Sequence, residues 1–139
     1  MTNSIPQRVK ATVAVAHRSI WEGRLAVAKL PRLAANLADP GGELGMRLEA
    51  GTDAAGAPQL RGRITGELGL VCQRCMKPFL WSLQTEVHLR LVKSEAEEKR
   101  LLYECEPWLV EDDSLQLQTV VEEEVLLALP IAPRCSNCD

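Results

Sequence analysis

Cys72 and Cys75 stand in LVCQRCMKPFLW, residues 70–81, and Cys135 and Cys138 stand in PRCSNCD, residues 133–139. Both pairs have C-x-x-C spacing. Such a turn lets two sulfurs and nearby backbone N–H groups converge on one side of a tight loop, and two turns supply the four thiolates of tetrahedral zinc. The 59 residues between the pairs are far more than in a compact zinc ribbon. The fold must therefore bring the turns together, and zinc would then fasten the C-terminal tail onto the first turn. A second chemistry for Cys72-Gln73-Arg74-Cys75 is thiol–disulfide exchange, with Arg74 and Lys77 favouring a thiolate. Thiol oxidoreductases place the pair at a helix N-terminus, whereas here apolar alternation resumes by Phe79 and predicts a strand. Spectator cysteines are the third reading. Cys105 has no partner by spacing.

A second constellation is cationic. Arg61, Arg63, Arg74 and Lys77, with Arg90, could share one side of a sheet near the hairpin end, an arrangement suited to phosphates. Ordinary solvated strand positions explain the same residues. With three Trp, one Tyr and one Phe in the chain, base stacking has little support. His17 and His88 lie far apart. No Ser/His/Asp spacing, phosphate-binding glycine loop or metalloprotease motif occurs, so nothing argues for an enzyme or a small-molecule substrate.

The elements that must position these residues follow from periodicity. Residues 1–10 read as a loose arm, and 9–19 are ambiguous between helix and strand. Trp21, Leu25 and Val27 alternate with charged residues, predicting a strand over 20–28. Leu30, Leu33 and Leu37 have helical spacing, with Pro31 in the first turn and Asp39-Pro40-Gly41-Gly42 as the stop. Three strands follow, over 43–50, 59–71 and 79–91. In the second, Gly62 and Gly66 fall on the apolar register and suggest a bend or bulge. The third is the clearest: Phe79, Trp81, Leu83, Val87, Leu89 and Leu91 form a stripe opposite Ser82, Gln84, Glu86, His88 and Arg90. The Cys72 turn joins the last two strands. Residues 93–113 carry eight acids against three bases and read as a solvated, mobile segment, with a short strand at Trp108–Val110. Helical periodicity fits 118–129, and Pro130 ends it. In that helix Glu124 falls near the centre of the apolar arc, while Glu122 and Glu123 point away. A buried carboxylate needs a partner, so either Glu124 has one, a strand arginine or backbone donors near a helix end, or the face is exposed there; a structural ion pair is the expected reading.

Together these patterns predict one α+β domain over 1–139. An antiparallel meander over about 43–91 carries two helices, near 30–38 and 118–129. No apolar run approaches the ~18 residues of a membrane span, and the N-terminus lacks a signal-peptide core, so the chain reads as cytoplasmic. Five cysteines in a reducing compartment point to thiol or metal chemistry, not disulfides. Charge is divided unevenly. Residues 1–77 carry eleven Lys/Arg and six Asp/Glu, and residues 78–139 carry five and thirteen. A pI near 5.5 argues against a strong autonomous RNA binder.

The run Leu70-Val-Cys-Gln-Arg-Cys-Met-Lys-Pro-Phe79, an acidic segment, then Val121-Glu-Glu-Glu-Val-Leu-Leu-Ala-Leu-Pro130 resembles the YceD family, the large ribosomal RNA subunit accumulation proteins. Cys72, Arg74, Cys75 and Pro78 match the family turn, and Glu124, Leu127, Leu129 and Pro130 match its helix end. Cys135 and Cys138 occupy a region where family members often have a His or Cys followed by a Cys. The resemblance implies a bacterial cytoplasmic, non-enzymatic factor, with relatives in plastids, needed for normal 23S rRNA levels. It implies as partners the large-subunit rRNA or assembling ribosomal proteins and assembly factors. Two further classes stay open: a thiol–disulfide oxidoreductase, and a zinc-stabilised protein-interaction module without RNA contact.

Overall fold

The computed structural model describes residues 5–136. Residues 9–19 resolve into a short strand, β1 (Val9–Lys10), and a helix, α1 (Ala11–Ala16). Then come β2 (Ile20–Ala26), a single 3-10 turn (Val27–Lys29), α2 (Pro31–Ala34), β3 (Glu43–Thr52), β4 (Pro58–Val71) and β5 (Pro78–Val92). The chain ends with α3 (Glu95–Leu101), β6 (Pro107–Leu109), β7 (Ser114–Leu115) and α4 (Leu117–Ala128). The expected α+β architecture is present, and its main sheet has the order β2-β3-β4-β5-β6. β2 to β5 form an antiparallel meander, as alternation predicts. β6 departs from it and pairs with β5 in parallel, which requires the crossover through α3.

One sheet face is buried. Leu44, Leu48, Leu60, Ile64, Leu83, Val87, Leu89 and Leu91 pack with Leu117, Val120, Val121 and Val125 of α4 and with Ala14 and Leu33. Burial of this stripe is the main favourable term, at roughly 25 cal/mol per Å² of apolar area. The other face is left to water, with Arg24, Arg47, Arg61, Arg63, Glu86 and His88 exposed on it. Gly62 and Gly66 make no bulge, because the β3–β4 register is unbroken from Leu44–Gly66 to Thr52–Pro58. Gly62 instead permits a close approach: a Cβ there would overlap the Arg47 carbonyl oxygen and lie 2.9 Å from Leu48 Cα.

Three expectations need correction. Residues 5–10 are not a loose arm. Ile5 is fully buried, β1 pairs with β7, and Gln118 Nε2 donates to the Ile5 carbonyl at 3.1 Å. The helix near 30–38 is a single turn, α2. Its start is held from a distance, because the preceding Leu30 offers no side-chain acceptor. Within 93–113 lies α3, opened by a local cap: Ser94 Oγ accepts from Glu97 N–H at 3.1 Å, and Glu97 Oε1 accepts from Lys93 N–H at 3.2 Å. This is the S-x-x-E pattern of a capping box, present in the sequence within an acid-rich segment that lacks apolar periodicity.

Candidate metal centre at the β4–β5 turn

β4 and β5 outrun β3. Their pairing continues past Leu44–Gly66 to Val71–Pro78, so the hairpin projects by about 17 Å at the usual rise per residue. Asp39 bridges to Gly69, and Ala38 N–H donates to the Gly69 carbonyl, which braces this arm against the segment after α2. The Cys72 turn caps the tip. Cys72 N–H donates to the Lys77 carbonyl and Met76 N–H to the Cys72 carbonyl, both at 2.9 Å. Met76 has φ +62°, a left-handed conformation that closes the loop. Pro78 suits its place, because even-numbered residues of β5 direct their N–H groups away from β4, so no ladder bond is lost.

α4 delivers the tail. Pro130 forces the preceding residue out of helical geometry, and Leu129 has φ −63° and ψ 138°. The chain then runs to the tip, where Gln73 N–H donates to the Pro133 carbonyl at 2.8 Å. Cys72, Cys75 and Cys135 meet there, with all three sulfurs within 4.8 Å of one another. Cys75 Sγ and Cys135 Sγ are 3.7 Å apart, well beyond the length of a disulfide bond. Tetrahedral zinc with Zn–S near 2.3 Å holds its sulfurs about 3.8 Å apart, so the spacing fits that ion. Cys138, the fourth expected ligand, lies outside the described residues.

The electrostatics favour anionic sulfur. Cys75 N–H points at Cys72 Sγ at 3.5 Å. That donor first, then the N–H of Cys135, lowers the Cys72 thiol to about 5 against the opposing effect of burial. These N–H groups favour the thiolate, the form that ligates metals. Three close cysteines of this kind could hold a metal ion. Thiol–disulfide exchange fits less well. The lowered thiol is fully buried, and the residues after the turn form a strand without a helix dipole. Cys105 stands apart, its thiol donating to the Leu101 carbonyl at 3.7 Å.

The cationic residues separate into two places. Arg74 and Lys77 are exposed at the tip and carry no ion pair among the described residues. Arg134, absent from the sequence-level candidates, joins them as the exposed neighbour of Cys135. Its only sequence signal is adjacency to a cysteine. Arg61 and Arg63 do not belong to this cluster. They lie nine or more residues down β4, about 30 Å away. There Arg63 pairs with Glu86 at 3.3 Å, and Arg47 pairs with Glu49 at 2.9 Å and Glu22 at 3.3 Å. That face is a mixed lattice of charge, not a basic stripe.

The glutamates of α4 reverse their expected roles. Glu122 is buried and paired: Oε2 accepts from the N–H groups of Arg32 at 2.9 Å and Leu33 at 3.2 Å. It thereby caps α2, while Glu123 meets the Arg32 guanidinium. Glu124 is as deeply buried, at 8% exposure against 7% for Glu122. Among the described residues it has neither hydrogen bond nor ion pair. Burial first, then neighbouring Glu106 and Glu123, raises its pKa. The expected structural partner of Glu124 is therefore missing, because the available arginine sits on the other flank of the helix.

No helix among the described residues is long and apolar enough to cross a membrane. No solved structure matches the chain closely enough for comparison. The family model described as "Large ribosomal RNA subunit accumulation protein YceD" matches residues 60–139, from the start of the β4–β5 hairpin through the thiolate tip, α4 and the tail. That match spans more than half the sequence and contains every residue of the sulfur cluster, and the chain belongs to the YceD family.

Proposed function

We propose that the chain is a cytoplasmic ribosome-biogenesis factor that supports synthesis, processing or stability of the large-subunit (23S) rRNA without catalysing a reaction. The family match over 60–139 carries this reading. Within it, the thiolate tip binds Zn²⁺ through Cys72, Cys75 and Cys135, with Cys138 as fourth ligand. The 3.7 Å sulfur spacing and the lowered Cys72 thiol support zinc. The ion would fix the tail on the hairpin and hold the tip rigid. Among the described residues Arg74, Lys77 and Arg134 are exposed cations near it with no ion pair, and they would take rRNA phosphates. Arg61 and Arg63 remain a weaker phosphate site, since Arg63 already has an acidic partner.

The test is a deletion strain in which the ratio of large- to small-subunit rRNA is measured. Loss of the gene lowers the ratio; the intact chain restores it, and Cys75→Ser does not. An unchanged ratio in the deletion strain would overturn the functional reading. Metal analysis of protein purified without chelator tests the ion separately, with about one zinc per chain expected from a single four-thiolate site. Cross-linking to RNA in cells, lost when Arg74, Lys77 and Arg134 are replaced by Ser, tests the phosphate contact.

A further inference from the structure

β5 is an edge strand for most of its length. β6 covers only Arg90, Leu91 and Val92. Arg90 N–H donates outward to the Glu106 carbonyl, and the Val92 carbonyl accepts outward from Val110 N–H. The β4–β5 register is unbroken, so alternation gives Leu80, Ser82, Gln84, Glu86 and His88 the same outward direction. Among the described residues none of these five has a backbone partner on that side. Exposed edges are usually blunted by Lys, Pro, a bulge or a covering element. Between Phe79 and Leu89 there is no Lys, Pro or bulge, and Leu80 is 70% exposed. The opposite edge, β2, is half as long and carries Glu22, Gly23 and Arg24.

The charge beside this edge is unbalanced. At about 100° per residue, Glu122 and Glu124 lie on opposite flanks of α4. Glu122 turns to α2, so Glu124 turns to the flank of Glu106, which immediately precedes β6 and whose carbonyl accepts from Arg90 N–H of β5. Glu124 is more than nine-tenths buried and has neither a hydrogen bond nor an ion pair among the described residues. Arg90 is itself opposed by Asp53. A strand added to β5 in line with β6 would run beside Glu106, whose charge Glu124 feels.

We propose that the β5 edge from Leu80 to His88 is a docking site for an extended, Lys/Arg-rich segment of a partner protein. The segment adds as a sixth strand and sets a cation against Glu124 and Glu106. Main-chain hydrogen bonds to the outward groups supply affinity, and the two carboxylates supply the preference for positive charge. Placing that partner in large-subunit assembly rests on the function proposed above.

The experiment inserts a photo-cross-linking amino acid in place of Gln84 in the full chain, in cells, and maps the captured segment by mass spectrometry. The expected product is a segment of another protein in which Lys and Arg outnumber Asp and Glu. A synthetic peptide of that segment should slow amide exchange at Ser82, Gln84 and Glu86. It should bind Glu124→Gln about tenfold more weakly, as loss of one charge-assisted contact implies. The same peptide N-methylated on its edge-facing amides should not bind. Cross-links to a second copy of the chain, to RNA or to a non-basic segment, or no cross-link, overturn the proposal, as does peptide binding indifferent to Glu124→Gln and N-methylation. If the intact chain fails to affect the rRNA ratio while basic cross-links appear, the functional reading falls and the docking site stands.

Discussion

Glu122 and Glu124 are two residues apart, equally buried and of the same type, yet loss of each should move stability in opposite directions. Replacing Glu122 with Ala strands the N–H groups of Arg32 and Leu33 at the start of α2. Leu33 is fully buried, so water cannot readily replace the acceptor. A hydrogen bond to a charged group contributes about 1.5–3 kcal/mol. Two at the lower figure give about 3 kcal/mol, and the half-exposed Arg32 contact adds at most about 1 kcal/mol. That is a large share of the roughly 5–15 kcal/mol that holds a domain of this size together. At about 4 °C per kcal/mol, the melting temperature should fall by about 12 °C. Glu124→Gln removes a charge that has no partner among the described residues. The folded pKa of Glu124 is raised above its unfolded value, so the ionised form opposes folding at neutral pH. That penalty disappears as pH falls below the ordinary glutamate value, about 4.3. The variant should therefore equal or exceed the parent in stability at neutral pH, with the difference closing towards pH about 4. Urea-unfolding midpoints at both pH values measure each effect. If Glu124→Gln loses more stability than Glu122→Ala, the assignment of the paired and unpaired carboxylates is wrong.

Two further outcomes follow from packing and capping. Gly62→Ala should lower the unfolding free energy from urea titration by about 1–3 kcal/mol, since its Cβ would meet backbone of β3 that cannot rotate away. An unchanged midpoint would mean that β3 and β4 separate easily at this point. Asp113→Asn should lower stability at neutral pH, because Asp113 accepts from the Thr12 hydroxyl at 2.6 Å and the Thr12 N–H at 2.9 Å. Those bonds depress its folded pKa, so the stabilisation is present above the unfolded value and is lost as pH falls through the folded one. Parent and variant midpoints should converge as pH falls through the depressed folded value, below the ordinary aspartate value of about 3.9. A gap that persists there would assign the effect to shape, not charge.

Alternation of apolar and polar residues determined β2 to β5, and the period of 3.6 with Pro130 determined α4. Both are properties of neighbours along the chain, and the buried stripe they create admits one register. The C-x-x-C spacing likewise made the Cys72 turn visible as a place where sulfurs converge. Even the cap of α3 was written locally, in Ser94 and Glu97. What the tertiary structure decided are the contacts between residues far apart in sequence. Neither α1 nor α2 is capped by the residue before it, Lys10 or Leu30, and each borrows a carboxylate instead, Asp113 or Glu122. A helical wheel sees only the apolar arc of α4. It therefore assigned the partner to Glu124 and turned Glu122 away, because the position of Arg32 on the far flank is not encoded within that helix. The sulfur cluster depends on the same kind of information. Spacing fixed each pair, but only the run of chain from Pro130 to Pro133, pinned to Gln73, brings Cys135 to within 3.7 Å of Cys75.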